Sequence, residues 1–482
     1  MKKQLSSKKG IGALNWTLLL VIGFSAQIAW VIENNWFANF LYADFGAQLG
    51  VVTAMTICSA SATTFSALFF GTLSDRIGSR KKLITWGSVL WGIFTIAFGL
   101  THYLRDSIYN NVMLIGVTIV LADTIMSFFG SMANDAGYNA WYADMMDDSN
   151  SGQIGAVAAT LPVIGTLVGT LAGGMIVTSE AFTKTNPQGG YIAFFSIAGA
   201  CTIIIGIISM FLLKDDPKLK PVKDGGFWNQ FASVFDFRTF VSRKELALVF
   251  VTLMIYFIGY NCYFIHIMNW MNYTLGFSDP SLILGIPLLI AVLISVPFVP
   301  VINRKKVPGV AAFATVLSII GCLFVFFVVG RMQSSLDTEN ALNFAANWPA
   351  FLGIILVGIG YVIFMQSMTV WMKRLYPDDH RGQFEGIRIL FFVFFPMIAG
   401  PLLADPICRH FGEKVYQVVV DGSLKFVTGS EATALGYDIS KIAEGYLPVN
   451  ELFIAAAMVT TLALVPMFFA GRMYKKRNFE EK

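Results

Sequence analysis

Two carboxylates, Asp123 and Asp135, stand in a segment otherwise made of Ile, Val, Leu, Met, Phe and small residues. Asp123, Ser127, Ser131 and Asn134 recur at i, i+4, i+8 and i+11, so they share one helical face. Asp123 lies about 11 residues into its apolar run, near 17 Å at 1.5 Å per residue, which is roughly mid-bilayer. A carboxyl there can take up and release a proton as its surroundings open and close. Asp135 falls nearer the other end of the run, and a structural salt bridge is the alternative for either acid. Upstream, Gln27, Trp30 and Asn34 sit at i, i+3 and i+7. An amide pair beside an indole suits a sugar, whose hydroxyls need donors and acceptors while its C–H face stacks on a ring. The same amides can instead bond between helices with no ligand. Glu33 points about 120° away from that face and is expected to pair near a membrane rim. Downstream, Tyr263, His266 and Trp270 repeat the i, i+3, i+7 spacing after Tyr256 and Tyr260. Tyr263 and His266 are candidate ligands, although a lone His is more often a hydrogen-bonding packer, and Trp270 can equally be an interface anchor. Asn139 and Gln366 join the candidate binding set, with Tyr361 and Trp371 as weaker members.

These residues are carried by a chain that water would not dissolve. It has 482 residues, 56% hydrophobic and 13% charged, with a mean hydropathy of +0.65, whereas soluble domains carry about 25% charge. Apolar runs long enough to cross a bilayer recur throughout. Twelve spans are predicted, at 14–42, 48–73, 82–101, 112–134, 154–178, 191–213, 246–272, 281–302, 308–330, 348–372, 386–405 and 449–471, with short connections except for two long ones, 214–245 and the loop 406–448. The fold class is therefore an all-α polytopic membrane protein. Lys2, Lys3, Lys8 and Lys9 resemble a signal-peptide n-region, but the apolar run behind them continues to about residue 42, too long for an h-region. With both termini inside, 26 of the 34 Lys and Arg fall on the inner side and 7 on the outer, with Arg388 within a span. The positive-inside rule then makes both termini cytoplasmic in a cell membrane.

The chain divides into an N-terminal six-helix half at 1–213, a linker at 214–245 and a C-terminal half at 246–482. The linker opens with KDDPKLKPVKDGG, and its remainder from Phe227 to Lys244 reads as an interfacial helix or an ordinary loop. DDSNSGQIG, from Asp147, and DDHRGQFEG, from Asp378, place Gly152-Gln153 and Gly382-Gln383 230 residues apart. The first and seventh spans are offset by 232, so the halves are parallel repeats, as in transporters that rock about a midplane site.

After the second span comes GTLSDRIGSRK, from Gly71 to Lys81. It resembles the signature of the major facilitator superfamily, which implies that fold and an inner gate built from Gly71, Asp75, Arg76, Gly78 and Arg80. Physically, Gly71 would let a helix approach, Gly78 would support a tight turn, and Asp75 would meet a helix N-terminus or an Arg. Arg381, Glu385 and Arg388 form i, i+4 and i, i+3 pairs expected to be gate or structural contacts. DAGYNAWYAD, from Asp135, and RGQFEGIRI, from Arg381, are similar to the glycoside-pentoside-hexuronide cation symporters and their sucrose-transporter-like relatives. That likeness implies a coupling role for Asp135. In that branch acids on helices II and IV contribute to coupling, but 51–73 here holds no carboxylate. The departure weakens a sodium reading and leaves proton coupling or uniport.

No phosphate-binding loop, His–Asp–Ser set or metal spacing occurs, and Cys58, Cys201, Cys262, Cys322 and Cys408 are scattered singly. The expectation is a secondary transporter without cofactor or metal, not an enzyme. Its partners would be a small polar solute such as a sugar or glycoside, a proton or other cation, and membrane lipid, with no nucleic acid. A lipid or lipid-linked sugar flippase of the same fold is the alternative; a membrane sensor or enzyme is the alternative of another class.

Overall fold

The computed structural model describes residues 12–105, 111–146, 151–216, 219–221, 226–233, 241–303, 306–376, 386–420 and 423–480. Among the described residues, twelve helices are long and apolar enough to cross a membrane. Spans I to VI are Ala13–Phe45, Leu49–Ile77, Lys81–Leu104, Met113–Asp144, Thr160–Val177 and Gly189–Leu212. Spans VII to XII are Lys244–Thr274, Pro280–Ile302, Val307–Ser335, Phe344–Leu375, Gly386–Phe411 and Glu451–Arg477. They form two six-helix pseudo-repeats. Most are apolar all round, because one side meets the bundle and the other meets lipid. Ends are set by local chemistry: Asn111, Asp279 and Asn343 cap spans IV, VIII and X through their side chains. Gly78 closes span II at φ +66°, a left-handed turn that a side chain would strain and Pro221 would obstruct.

Both described chain ends lie on one face of the bundle, the terminal face; the other is the distal face. Within the first repeat, spans III and VI meet backbone to backbone, so closely that a Cβ on Gly92 would stand 2.4 Å from the Gly199 carbonyl oxygen. Five spans carry π turns, at Ile32–Trp36, Met132–Tyr138, Trp270–Thr274, Val325–Val329 and Leu390–Phe394. Such one-residue insertions rotate the side chains that follow and are often found at functional positions.

The connection expected as a long loop after span XI is folded. Span XI runs on to Phe411, and a three-stranded antiparallel sheet follows, in the order β2-β1-β3. Its strands are β1 Lys414–Val420, β2 Ser423–Thr428 and β3 Glu444–Tyr446. Thr428 and Glu431 make a capping box on the short helix after β2.

The repeats touch at the distal face. Asn39 of span I donates from Nδ2 to Asn269 Oδ1 of span VII at 2.8 Å, and Asn269 Nδ2 donates to the Ala38 carbonyl at 3.0 Å. The two asparagines are 230 residues apart, the repeat offset read from the loops, so they are repeat equivalents meeting each other. Spans V and VIII abut where a methyl on Gly174 would collide with Ser281. The sheet adds a strap: Gln417 Nε2 donates to the Ala43 carbonyl at 3.1 Å, Tyr42 Oη to the Tyr446 carbonyl at 2.9 Å, and the Tyr446 amide to the Ala47 carbonyl at 3.0 Å. Tyr42, Tyr273 and Phe426 pack ring on ring beneath it.

The expected interfacial segment includes a helix, Phe227–Ser233, whose Phe227 and Phe231 rings sit on Phe69 and Phe65 of span II while Trp228 is exposed. Lys2, Lys3, Lys8 and Lys9, and the gate candidates Arg381 and Glu385, lie outside the described residues.

Candidate functional site

The π turn in span I directs Glu33 toward span IV, and this corrects the expectation that it pairs near a rim. Glu33 is 8% exposed, and its Oε1 lies 2.7 Å from Ser127 Oγ, which is also 2.8 Å from the Asp123 carbonyl oxygen. Asp123 is 1% exposed, within electrostatic range of Glu33, with Ser59 of span II against its carboxyl. Among the described residues, Glu33 Oε2 and Asp123 Oδ1 have no hydrogen-bond partner.

Asp135 sits inside the second π turn and is surrounded differently. Asn134 Nδ2 and Asn139 Nδ2 reach its Oδ1 at 2.9 and 3.4 Å, and Ser131 Oγ donates to Oδ2 at 2.9 Å. Arg388 of span XI, in the other repeat, lies in electrostatic range and places its guanidinium 5.4 Å from the Phe392 ring. Asp135, Asn139 and Arg388 are all partly exposed, and the approach of Arg388 to Asp135 crosses from one repeat to the other.

On span I, Gln27, Trp30 and Asn34 are also partly exposed. Trp30 leans on Trp91 of span III at 5.1 Å between ring centroids, and Asn34 Nδ2 donates to the Trp30 carbonyl of its own helix at 2.7 Å. Part of this group's hydrogen-bonding capacity is therefore spent within the protein. Gln27 packs where Gly165 lets span V cross.

The second repeat contributes an aromatic wall. Tyr260 and Tyr361 stack at 4.9 Å, Tyr260 and Phe264 at 4.4 Å, and Phe257 meets Phe392 at 4.6 Å. Tyr263 is buried beside Phe453 at 5.1 Å. His266 occupies a break in span VII between Phe264 and Ile267, fully buried, with neither ring nitrogen partnered among the described residues. Gln366 is partly exposed, with its Oε1 buried and likewise unpartnered. Trp270 is no interface anchor: it is 2% exposed and donates from Nε1 to Asn450 at 2.8 Å. Trp371 donates to Glu245 at 2.9 Å, inside the second repeat. Glu33, Ser59, Tyr260 and Tyr361 emerge as site neighbours that spacing alone underrated.

At the terminal face the GTLSDRIGSRK segment folds around Arg80. Its guanidinium meets Asp75 at 2.6 Å, Asp144 at 3.0 Å and the Ser74 hydroxyl. The carboxylate at a helix N-terminus is Asp215, not Asp75: it accepts from the Arg80 and Lys81 amides, both at 2.8 Å, and from Ser79 Oγ at 2.7 Å. A second correction concerns Gly71: among the described residues, a Cβ there would meet nothing within 4 Å. Arg76 is half-buried beside this cluster.

A recess of about 690 Å³ lies elsewhere, at the distal ends of spans II, IV and XI. Its walls include Val51, Val117 and Leu121, and its mouth includes Arg409 and Glu444.

The sequence matches the Major Facilitator Superfamily over residues 19–401. The chain belongs to that family, a multi-pass membrane protein and a secondary transporter rather than an enzyme. No curated protein matches the sequence. Among solved structures, a bacterial homologue of the human lysosomal transporter Spinster, inward-facing and unoccupied, aligns with a TM-score of 0.67 at 11% identity, over 97% of this chain and 99% of that one. A mutant of the nucleoside transporter NupG aligns with a TM-score of 0.64 at 12% identity, over 95% of this chain and 99% of the other. The POT family transporter PepTSo aligns with a TM-score of 0.60 at 10% identity, over 95% and 98%. Likenesses at this identity carry the fold alone. Transporters of this family carry small-molecule solutes.

Proposed function

We propose that this transporter moves a sugar, glycoside or similar small polar solute by alternating access, coupled to a proton through a carboxyl on span IV, Asp123 or Asp135. The observation that carries the reading is the juxtaposition at Asp135. An acid and two amides from the first repeat come within electrostatic range of Arg388 from the second, whose guanidinium adjoins Phe392 and, through Phe257, the stacked Tyr260 and Tyr361. A polyhydroxylated ring needs both kinds of wall, amide and carboxylate groups for its hydroxyls and flat rings for its C–H face. Contacts between the repeats across the distal face fit a state open toward the terminal face. In this reading the terminal face is cytoplasmic, the membrane is the cell membrane, and Asp75, Arg76, Gly78 and Arg80 belong to the gate that closes next, together with Arg381, Glu385 and Arg388.

The recess between spans II, IV and XI favours a second reading. It is apolar along exposed Val117 and Leu121 and charged at Arg409 and Glu444, a shape an amphipathic lipid or lipid-linked sugar would occupy. Thermal-shift screening of purified protein against sugars, glycosides and nucleosides, with lysophospholipids as the second arm, separates the two. Stabilisation by a polar solute that is lost in Asp135→Asn supports symport; stabilisation by lipids alone overturns it.

A further inference from the structure

Glu33 belongs to none of the groupings that its spacing suggested, and its surroundings differ from those of the other buried acids. It faces Asp123 across the contact of spans I and IV, deep in the bundle. The donors at this spot are hydroxyls only. Ser127 stands against Glu33 and Ser59 against Asp123, and the single Ser127 hydrogen is contested by the Asp123 carbonyl at 2.8 Å. Two carboxylate oxygens, Glu33 Oε2 and Asp123 Oδ1, are left without a partner among the described residues. The charged group facing the pair from span IV is Asp135, another acid. Ser59 of span II reaches Asp123, and Arg388 of span XI reaches Asp135. Among the described residues neither acid has a Lys, Arg or His within salt-bridge distance.

We propose that Glu33 and Asp123 form a proton-holding pair, in which one exchangeable proton is shared by carboxyl groups from spans I and IV. Two ionised carboxylates side by side in an apolar interior repel each other and lack the donors that would replace water. One proton removes one charge and supplies the missing donor. Asp135 shows the contrast. Its Ser131 is also contested, by the Thr63 carbonyl at 2.8 Å, but two amides and a guanidinium serve its charge. In the cycle, the O–H bond of the shared proton breaks as the opening reaches the pair, and the proton passes to water, leaving its electron pair on the carboxylate. The coupling role rests on the symport reading; the existence of the pair does not.

Infrared spectroscopy of the purified protein across pH, in H2O and D2O, tests the pair without any solute. The expected result is a carbonyl-stretch band of a buried protonated carboxyl at neutral pH, shifted in D2O and lost on alkaline titration. The band is absent from the Glu33→Gln/Asp123→Asn double variant and retained in Asp135→Asn. Ser127→Ala shifts it in frequency, and this variant decides the matter should the double variant not stay monodisperse. Persistence in the double variant, loss in Asp135→Asn alone, or an unshifted band in Ser127→Ala overturns the proposal. Bleaching by sodium at constant pH overturns its proton assignment. A wild-type band that behaves as expected, without proton-driven uptake of any solute, sinks the symport reading and leaves the pair standing.

Discussion

Asp135 and Asp123, the span IV member of the Glu33–Asp123 pair, share one helix, yet the protein surrounds Asp135 and the pair differently. Asp135 is given amides, a hydroxyl and a guanidinium in range; the pair is given hydroxyls and leaves two oxygens unpartnered among the described residues. Donors favour the charged form of a carboxyl, so Asp135 holds a charge more readily than the pair does. The lesson is that an acid's span says less about its role than the donors its neighbours bring.

The largest effect follows at Asp135. Asp135→Asn removes charge-assisted hydrogen bonds worth about 1.5–3 kcal/mol where they meet a ligand, so solute affinity falls by about ten- to a hundredfold. Exchange and net uptake fail together. Equilibrium binding by titration calorimetry checks this, and unchanged affinity would place Asp135 with the pair. Next come the repeat-equivalent asparagines. Asn269→Ala removes two hydrogen bonds between the repeats, each worth about 0.5–1.5 kcal/mol net, and should shift the equilibrium toward distal opening by at least about fivefold. Spin-label distances across the distal face report the shift, and an unmoved distribution would leave closure to the sheet strap alone.

Smaller is the effect expected at the terminal gate. Asp75→Asn weakens a half-exposed ion pair with Arg80, which keeps Asp144, so turnover slows several-fold while solute affinity stays within about twofold. Turnover equal to wild type would remove Asp75 from the gate. Smallest is Lys414→Ala in the strap. The Glu444 hydrogen bond raises the Lys414 pKa, so this contact is present at neutral pH and lost as pH rises through that value. Because both side chains are more than half exposed, transport at neutral pH should change by less than about twofold.

The spans, the repeat and the GTLSDRIGSRK turn were legible because hydropathy runs, loop spacing and glycine conformation are local properties. Asn39 and Asn269 show where legibility stops: the offset of 230 was readable, but not that the two side chains would meet. Glu33 was misplaced because ideal 3.6-residue spacing holds only until a π turn, and the turn at Ile32–Trp36 leaves no composition signal. The sheet did leave one, in the β-branched Val415, Val418, Val419 and Val420 before Asp421-Gly422, a hairpin-turn dipeptide that the long-loop reading passed over. Gly71 was assigned a packed neighbour, and none stands within 4 Å of a Cβ there among the described residues.

The most direct test of proton-coupled transport is flux into proteoliposomes under an imposed pH gradient or an imposed sodium gradient, in wild type and in Glu33→Gln and Asp123→Asn. The account predicts uphill accumulation by wild type with the pH gradient and none with sodium. Each variant should lose accumulation while keeping exchange of labelled for unlabelled solute, since exchange needs alternating access but no net proton release. Sodium-driven accumulation by the wild type, or full pH-driven accumulation by both variants, would contradict it.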